Sequence, residues 1–294
     1  MISNTSYKLK KFVRSLLPDL ILTPIFRLFR SRSMLATYKN LLPIGNQKKT
    51  LRNKEYKVYS QNGEDGLILY IFSRIGALSN TFIEFGAGGI SSNTENLIVN
   101  FGWSGLLIDG DDNQLNCLKN RLLKNNIGDE KVSLLKAWIT KDNINDLFKN
   151  NGMSGEVDLL SIDIDGNDYW IWDSIDVVQP RVVIVEYNAS FGIEDSISIK
   201  YSDSFDRYEY HSKGWFHGAS LTALEKLAEK KNYSLICCDS MGVNAFFVRN
   251  DLMKSNFLKL ASKNAFYGHK RRDIVFSNKK QYNEVVKSGD VVEV

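Results

Sequence analysis

The chain has 294 residues, of which 43% are hydrophobic and 24% are charged, so it is long enough to bury a sizeable core. This composition excludes collagen-like, low-complexity and largely disordered proteins. Three cysteines, Cys117, Cys237 and Cys238, are too few and too unevenly spaced for a disulfide framework or a zinc cluster. We therefore expect a cytoplasmic protein with reduced thiols.

The net charge of +4 is divided unevenly along the chain. Residues 1–54 contain 12 Lys and Arg residues against one acidic residue, whereas the other 240 residues contain 26 against 33. An acidic main body argues against a nucleic-acid-binding protein, because phosphate neutralisation requires Lys and Arg across the main surface. We expect a basic N-terminal arm (1–54), one domain (55–250) and a basic, helical C-terminal tail (251–294).

Residues 7–33 of the arm interleave Lys and Arg with Leu, Ile and Phe. No uncharged run approaches the roughly 18 residues that span a bilayer, and a signal-peptide cleavage site is lacking. A basic amphipathic segment of this kind can lie on the anionic inner face of a membrane or dock on a partner. It can equally pack against the main body with its charges in water, and both interpretations stay open.

From about residue 56, short apolar runs alternate with helical patterns, which is typical of a mostly parallel α/β sheet. The predicted parallel strands cover 81–85, 105–109, 132–137, 157–163 and 182–187. A last helix at 220–231 precedes two β-rich runs, 234–238 and 244–248, whose short link predicts an antiparallel hairpin at the sheet edge.

A glycine-rich loop, EFGAGG, follows the first predicted strand at residues 84–89. Glycines there allow a tight turn and a close approach of the backbone to a ligand at the carboxyl end of the sheet. Asp109 ends the second strand, where a carboxylate can accept hydrogen bonds from both hydroxyls of a ribose. Together the two features indicate a cofactor that contains a nucleoside.

The charge of the loop discriminates between two such cofactors. Glu84 would repel the pyrophosphate of NAD, whereas S-adenosylmethionine has no phosphate and carries a cationic sulfonium and ammonium. The spacing after Gly89 also departs from G-x-G-x-x-G. The alternative is a tight turn beside a solvated Asp109. We assign the cofactor contacts to Glu84, Gly86, Ala87, Gly88, Asn93, Asp109, Gly110 and Asp163.

Several motifs in order, among them SQNGEDG, FIEFGAGGISSNTENL and VDLLSIDIDGNDYWIW, resemble the FkbM-related class I S-adenosylmethionine-dependent methyltransferases. The resemblance covers roughly residues 56–250. It implies a Rossmann-like, mostly parallel seven-stranded sheet closed by an antiparallel hairpin, and O-methylation of sugars in surface polysaccharides. It also implies that SQNGEDG folds over the amino-acid end of the cofactor, with Glu64 or Asp65 at the ammonium. An N-cap role for Asp65 is the alternative.

A second acidic cluster, Asp163, Asp165 and Asp168, lies at and just beyond the end of the fourth strand. One interpretation is a general base that takes the proton of an acceptor hydroxyl. Another is a divalent ion, Mg²⁺ or Mn²⁺, because hard cations prefer oxygen ligands. Its predicted ligands are Asp163, Asp165, Glu186 and Asn188. The structural alternative is that Asp165 and Asp168 cap the helix that follows.

Three further features bear on the acceptor. His217 lies among aromatic residues before the last helix and is a candidate base, although a lone histidine is often structural. The insert at 189–214 is rich in Tyr, Asp and Ser and is either a lid over a sugar acceptor or a surface loop. The basic run at 263–280 either faces an acceptor that bears a phosphate or nucleotide, or solvates a helix.

The sequence thus predicts an S-adenosylmethionine-dependent O-methyltransferase that acts on a hydroxyl of a sugar, nucleotide sugar or surface-glycan precursor. Its predicted catalytic residues are Asp163, Asp165, Glu186 and His217. Two alternatives remain: an NAD-dependent sugar oxidoreductase, and a non-catalytic membrane-surface scaffold that retains a degenerate cofactor fold.

Overall fold

The structure is a computed structural model that describes residues 51–294 apart from Gly88, Ile90 and Ser255. The predicted membrane contact of residues 7–33 and the predicted cofactor contact of Gly88 lie outside the described residues. No helix among the described residues is long and apolar enough to cross a membrane.

A seven-stranded sheet forms the centre of the described chain. Its parallel strands are β1 (Thr81–Phe85), β2 (Ser104–Asp109), β3 (Val132–Lys136), β4 (Gly155–Ile162) and β5 (Val178–Glu186). Between β5 and the sheet's last two strands the chain forms the short strand β6 (Ile197–Ile199), which lies outside this sheet. The last two strands are β7 (Tyr233–Cys238) and β8 (Asn244–Arg249).

The strand order is β3-β2-β1-β4-β5-β8-β7, and β8 runs antiparallel to both of its neighbours. The predicted fold class is therefore confirmed: a mostly parallel seven-stranded α/β sheet that ends in an antiparallel hairpin. After β1, the chain adds β2 and β3 on one side of β1. It then crosses back, so that β4 pairs with the other side of β1. In open α/β sheets, ligands bind at the carboxyl ends of the strands beside such a reversal.

Helices pack on both faces of the sheet, because its central strands are apolar on both sides. The helices before β8 are α1 (Glu64–Ile75), α2 (Glu95–Phe101), α3 (Asp112–Lys124), α4 (Ile144–Asn150), α5 (Asp168–Ser174), α6 (Arg207–Tyr210) and α7 (Leu221–Lys230). One buried cluster includes Leu67, Ile98 and Leu118 from α1, α2 and α3. The other includes Phe148, Trp172 and Leu224 from α4, α5 and α7.

A small second sheet joins the insert at 189–214 to the C-terminal tail. Strand β6 pairs antiparallel with β9 (Val291–Glu293). The tail also contains α8 (Asn250–Met253), α9 (Ser262–Ala265), α10 (Lys270–Asp273) and α11 (Asn278–Val286). Val285 of α11 and Phe205 and Phe216 share a third buried cluster with β6. The insert and the tail are thus packed together.

Candidate functional site

A cavity of about 830 Å³ lies at the carboxyl ends of the parallel strands. Residues at or just after four strand ends line it: Gly86 after β1, Asp109 at the end of β2, Asp163 after β4 and Glu186 at the end of β5. Binding sites for small molecules and cofactors commonly fall between about 300 and 1,000 Å³. The cavity is therefore large enough for a cofactor together with a small second substrate.

Gly86 allows the ends of β1 and β4 to approach each other closely. Its φ is +62°, and a Cβ atom at this position would lie 1.7 Å from the carbonyl oxygen of Asp163. The Gly86 amide also donates to the carbonyl of Ile108 in β2, with 3.0 Å between nitrogen and oxygen. A side chain at residue 86 would force apart the strand ends that form the floor of the cavity.

Glu84, a predicted cofactor contact, lies outside the cavity lining and organises the loop after β1. Its buried carboxylate accepts from the backbone amides of Asn93 (2.8 Å) and Thr94 (3.1 Å), from the Ser92 hydroxyl (2.7 Å) and from the Thr94 hydroxyl. Burial raises the pKa of Glu84, and these hydrogen bonds oppose that rise. The Glu84 carboxylate thus accepts the hydrogen bonds of the backbone amides at the start of α2.

Two other predicted cofactor contacts are buried away from the cavity lining. Ala87 is fully buried and belongs to the core beside α1 and α2. Asn93 is 8% exposed and donates its side-chain amide to the Ser161 hydroxyl at 3.0 Å. Both residues therefore support the loop from behind, and the sequence pattern could not show the direction of their side chains.

Asp109 and Gly110, two of the predicted cofactor contacts, line the cavity beside an aromatic residue that the sequence analysis missed. The Asp109 carboxylate accepts from the backbone amide of Asp111 at 2.8 Å. A Cβ at Gly110 would lie 3.3 Å from the ring of Trp138, which is 60% exposed and also lines the cavity. The signal available in the sequence was an aromatic residue two positions after β3, at the ligand-binding edge of the sheet.

The carboxylates of the SQNGEDG segment accept hydrogen bonds mainly from the backbone, and Glu64, a predicted contact of the cofactor ammonium, lies outside the cavity lining. Glu64 is fully buried and accepts from the amides of Asn62 (2.8 Å) and Gly63 (2.9 Å) and from the side chain of Asn244 (3.1 Å). Asp65 accepts four hydrogen bonds from residues 58–60. The side chains of this segment that reach the cavity are those of Gln61 and Asn62.

Three carboxylates meet at the ends of β4 and β5. Asp163, Asp165 and Glu186 each place one oxygen within 4.8 Å of the others, and all three line the cavity. Burial raises the pKa of Asp163 well above its ordinary value, and the charge of Glu186 raises it further. Burial likewise raises the pKa of Glu186, together with the charge of Asp165. The pair therefore holds a proton more readily than an exposed carboxylate does.

Asp168 has the structural role that the sequence left open. Its carboxylate is fully buried and accepts from the backbone amides of Ile164 (2.9 Å) and Gly166 (3.0 Å). These bonds fix the turn between β4 and α5. Asp165 sits in that turn with a φ of +56° and pairs with the guanidinium of Arg207.

His217, a predicted catalytic base, lies outside the cavity lining and is not placed to act as a base. It is 1% exposed, with Nε2 2.9 Å from Nη2 of Arg272 and Nδ1 3.3 Å from Oε2 of Glu186. A guanidinium only donates, so Nε2 must accept and the proton resides on Nδ1, facing Glu186. Burial and the charge of Arg272 lower the pKa of His217 to about 3. The imidazole therefore has no lone pair for a substrate.

Asn188 does not belong to a metal site, because both ends of its side chain are occupied. The amide donates to the carbonyls of Trp215 and His217, both at 2.8 Å. The oxygen accepts from Nη1 of Arg272 and from the amide of Ser190, both at 3.0 Å. The remaining predicted ligands, Asp163, Asp165 and Glu186, are oxygen donors of the kind that Mg²⁺ and Mn²⁺ prefer.

Basic side chains from the insert and the tail complete the lining of the cavity. They are Arg207 and Lys213 from the insert, and His269, Arg271 and Arg272 from the tail. The sequence left open whether the basic run at 263–280 faces an acceptor or solvates a helix, and the structure brings three of its residues to the cavity. The insert also supplies Phe205 and Gly214 to the lining, so it adjoins the cavity.

No protein-family model and no curated protein matches the chain. Similar solved structures include an S-adenosylmethionine-dependent methyltransferase from Clostridium acetobutylicum, at 10% identity and a TM-score of 0.39, covering 63% of this chain and 90% of that one. Another is the O-methyltransferase from Bacillus cereus in complex with SAH, at 12% identity and a TM-score of 0.39, covering 82% and 95%. A third is the N-terminal domain of EvdMO1 with SAH bound, at 14% identity and a TM-score of 0.41, covering 74% and 94%.

Proposed function

We propose that this chain is an S-adenosylmethionine-dependent methyltransferase that acts on a hydroxyl oxygen. The observation that carries the proposal is the position of Glu84, whose carboxylate occupies the amides at the start of α2. A dinucleotide cofactor would need such amides for its pyrophosphate. The cavity instead offers Asp109, Asp163 and Glu186, which suit a phosphate-free nucleoside carrying positive charge.

The residues at the strand ends have complementary roles in this proposal. Asp109 would accept hydrogen bonds from the ribose hydroxyls, and the face of Trp138 would stack on the adenine. The glycine turn at Gly86 would let the backbone approach the cofactor. Asp163 and Glu186 would then face the sulfonium and the methyl group.

In the proposed reaction, the acceptor oxygen attacks the methyl carbon in line with the carbon–sulfur bond. That bond breaks with its electron pair going to sulfur, which leaves neutral S-adenosylhomocysteine. The hydroxyl proton goes to the carboxylate pair Asp163 and Glu186, whose raised pKa suits a general base. Because the sulfonium is already activated, positioning supplies most of the acceleration.

The same carboxylates offer a second way to activate the acceptor. Asp163, Asp165 and Glu186 would hold a divalent ion, which when bound lowers the pKa of a coordinated hydroxyl. Arg207 competes with such an ion for Asp165. Methyl transfer in EDTA compared with transfer in Mg²⁺ or Mn²⁺ separates the two routes.

We place the acceptor among sugars, nucleotide sugars and glycan precursors. Aromatic faces and polar groups are the usual contacts of sugars, and the insert and the residues after it bring Phe205, Trp215 and Lys213 to the cavity. The acceptor would enter between the insert and the tail, next to the carboxylate pair.

Calorimetric titration of the full chain tests this proposal. We expect micromolar binding of S-adenosylhomocysteine and no binding of NAD, in EDTA and in Mg²⁺ alike. Asp109→Asn should weaken that affinity at least tenfold, because it removes the acceptor for the ribose hydroxyls. Asp129→Asn changes a carboxylate that is 75% exposed and lies outside the cavity lining, so it should have no effect. Binding of NAD, or of neither compound, contradicts the proposal.

A further inference from the structure

We infer that the methyl acceptor carries an anionic group, a phosphate or a carboxylate, and that Lys213, Arg271 and Arg272 bind it. The inference rests on the proposed function for the identity of the ligand as the acceptor, and it adds the acceptor's charge. Its basis is a set of three cations that two separate segments of the chain, the insert and the tail, bring to one cavity.

Arg272 is a buried cation whose hydrogen-bond partners are all neutral. It is 7% exposed, and its guanidinium donates to Asn188 (3.0 Å), Ser190 (2.9 Å) and Nε2 of His217 (2.9 Å). None of these acceptors carries a negative charge, and the imidazole of His217 lies between Arg272 and the carboxylate of Glu186. A buried charge is costly without a counterion. The carboxylates of Glu186 and Asp165 attract Arg272 through space but accept none of its hydrogen bonds. Since Arg272 lines the cavity, an anionic ligand can supply a direct counterion.

Arg271 and Lys213 add positive charge to the lining of the cavity. Arg271 is exposed, lines the cavity, and makes no hydrogen bond or ion pair with any residue that the structure describes. The Lys213 ammonium lies 4.4 Å from the centre of the Trp215 ring and 4.5 Å from that of Phe276. Its ion pair with Glu284 is long, at 3.8 Å. Guanidinium and ammonium groups of this kind form charge-assisted hydrogen bonds with phosphate and carboxylate.

The fourth cation at the cavity, Arg207, is already committed. Its guanidinium pairs with Asp165 of the acidic cluster, so its charge is neutralised locally. The lining is therefore divided. Carboxylates at the strand ends face the cationic cofactor, and the cations that form no ion pair with the acidic cluster come from the insert and the tail.

Two sources of the anion share this chemistry. One is the diphosphate of a nucleotide sugar, and the other is the carboxylate of an acidic sugar. The carboxylate of the cofactor itself could instead occupy the site formed by the three cations. In that case, loss of the cations would weaken cofactor binding.

The test is calorimetry on the full chain, with and without saturating S-adenosylhomocysteine, using UDP and glucuronate as anionic probes and uridine and glucose as neutral ones. We expect at least one anionic probe to bind, and the neutral probes to bind at least tenfold more weakly. The double variant K213Q/R271Q should weaken the anionic probe at least tenfold and leave S-adenosylhomocysteine within twofold. The control K263Q/K279Q changes two exposed lysines outside the cavity lining and should change neither affinity.

The preferred probe identifies the source: UDP indicates the diphosphate, and glucuronate the sugar carboxylate. Equal affinity of the native chain and K213Q/R271Q for both anions overturns the inference. It is also overturned if the double variant weakens S-adenosylhomocysteine but not 5′-methylthioadenosine, which lacks the amino-acid carboxylate. A third outcome separates the inference from the proposed function. If the native chain fails to bind S-adenosylhomocysteine but binds an anion through Lys213 and Arg271, the anion site is supported and the cofactor proposal is refuted.

Discussion

Gly86 is the residue on which the shape of the cavity floor depends most directly. Gly86→Ala places a methyl group 1.7 Å from the Asp163 carbonyl and forces a positive φ on alanine, so the ends of β1 and β4 must separate. We expect a loss of about 3 kcal/mol in the free energy of unfolding, from backbone strain and overpacking together. Chemical denaturation measures it, and binding of S-adenosylhomocysteine should weaken in parallel.

Gly152→Ala is the matched control for that substitution. Gly152 has a φ of +73°, but a Cβ there meets no atom within 4 Å. Gly152→Ala should lower the free energy of unfolding only by the cost of the left-handed backbone conformation, about 1 kcal/mol. Equal losses for the two variants would show that the contact with Asp163 does not matter.

His217 gives a prediction that is specific to pH. Because its pKa is lowered to about 3 by burial and Arg272, the unfolded chain binds a proton that the folded chain does not bind between pH 6.5 and 3. Its contribution to stability is complete above pH 6.5 and is lost as the pH falls. His217→Gln stays neutral and offers an oxygen to Arg272 and an amide to Glu186. The difference in unfolding free energy between native chain and variant should change by about 2 kcal/mol between pH 7.5 and 5.

Urea denaturation in EDTA at several pH values measures that difference, and other titrating groups cancel in the comparison. Parallel curves for the native chain and His217→Gln would mean that His217 binds its proton equally well in the folded protein and in the unfolded chain. The imidazole could then exchange a proton near neutral pH, as the sequence suggested for a base.

At the scale of elements, the pairing of β6 with β9 holds the insert to the tail. Deletion of residues 291–294 removes the hydrogen bonds between these strands. We expect faster hydrogen exchange at the amides of β6 and in the neighbouring insert, with unchanged exchange in β4 and β5. Equally faster exchange in β4 and β5 would mean that the tail is integral to the main sheet.

The sequence located the seven strands of the main sheet to within a few residues, because long apolar runs and glycine turns mark them. It missed β6 and β9, which have three residues each and pair across some ninety positions. Short strands of this kind have no local signal, since their stability comes from the cluster around Phe205 and Val285. The hairpin of β7 and β8 was predictable because its two strands are adjacent in the chain.

The candidate site was predictable in its position but less so in its details. Strand ends placed Asp109, Asp163 and Glu186 correctly at the cavity. Glu64, Glu84 and Asn188 are close in sequence to residues that line the cavity. The side chain of each is nevertheless hydrogen-bonded to nearby backbone or buried groups. A pattern of residue types gives the position of a carboxylate or amide but not the donors that surround it.

At the scale of the whole molecule, the sheet and the two appended segments, the insert and the tail, would have different roles in the proposed reaction. Acidic residues at the strand ends would bind the cationic cofactor and take the proton. Basic residues of the insert and tail would bind an anionic acceptor. Opposite local charges from the sheet and from the appended segments thus meet in one cavity.

The structure of the full chain crystallised with S-adenosylhomocysteine tests this account most directly. We predict the ribose hydroxyls bonded to Asp109, the adenine against Trp138, and the sulfur facing Asp163 and Glu186, with Glu84 still bonded to residues 92–94. A ligand bound away from Asp109, or a Glu84 carboxylate turned toward the ligand, would contradict it.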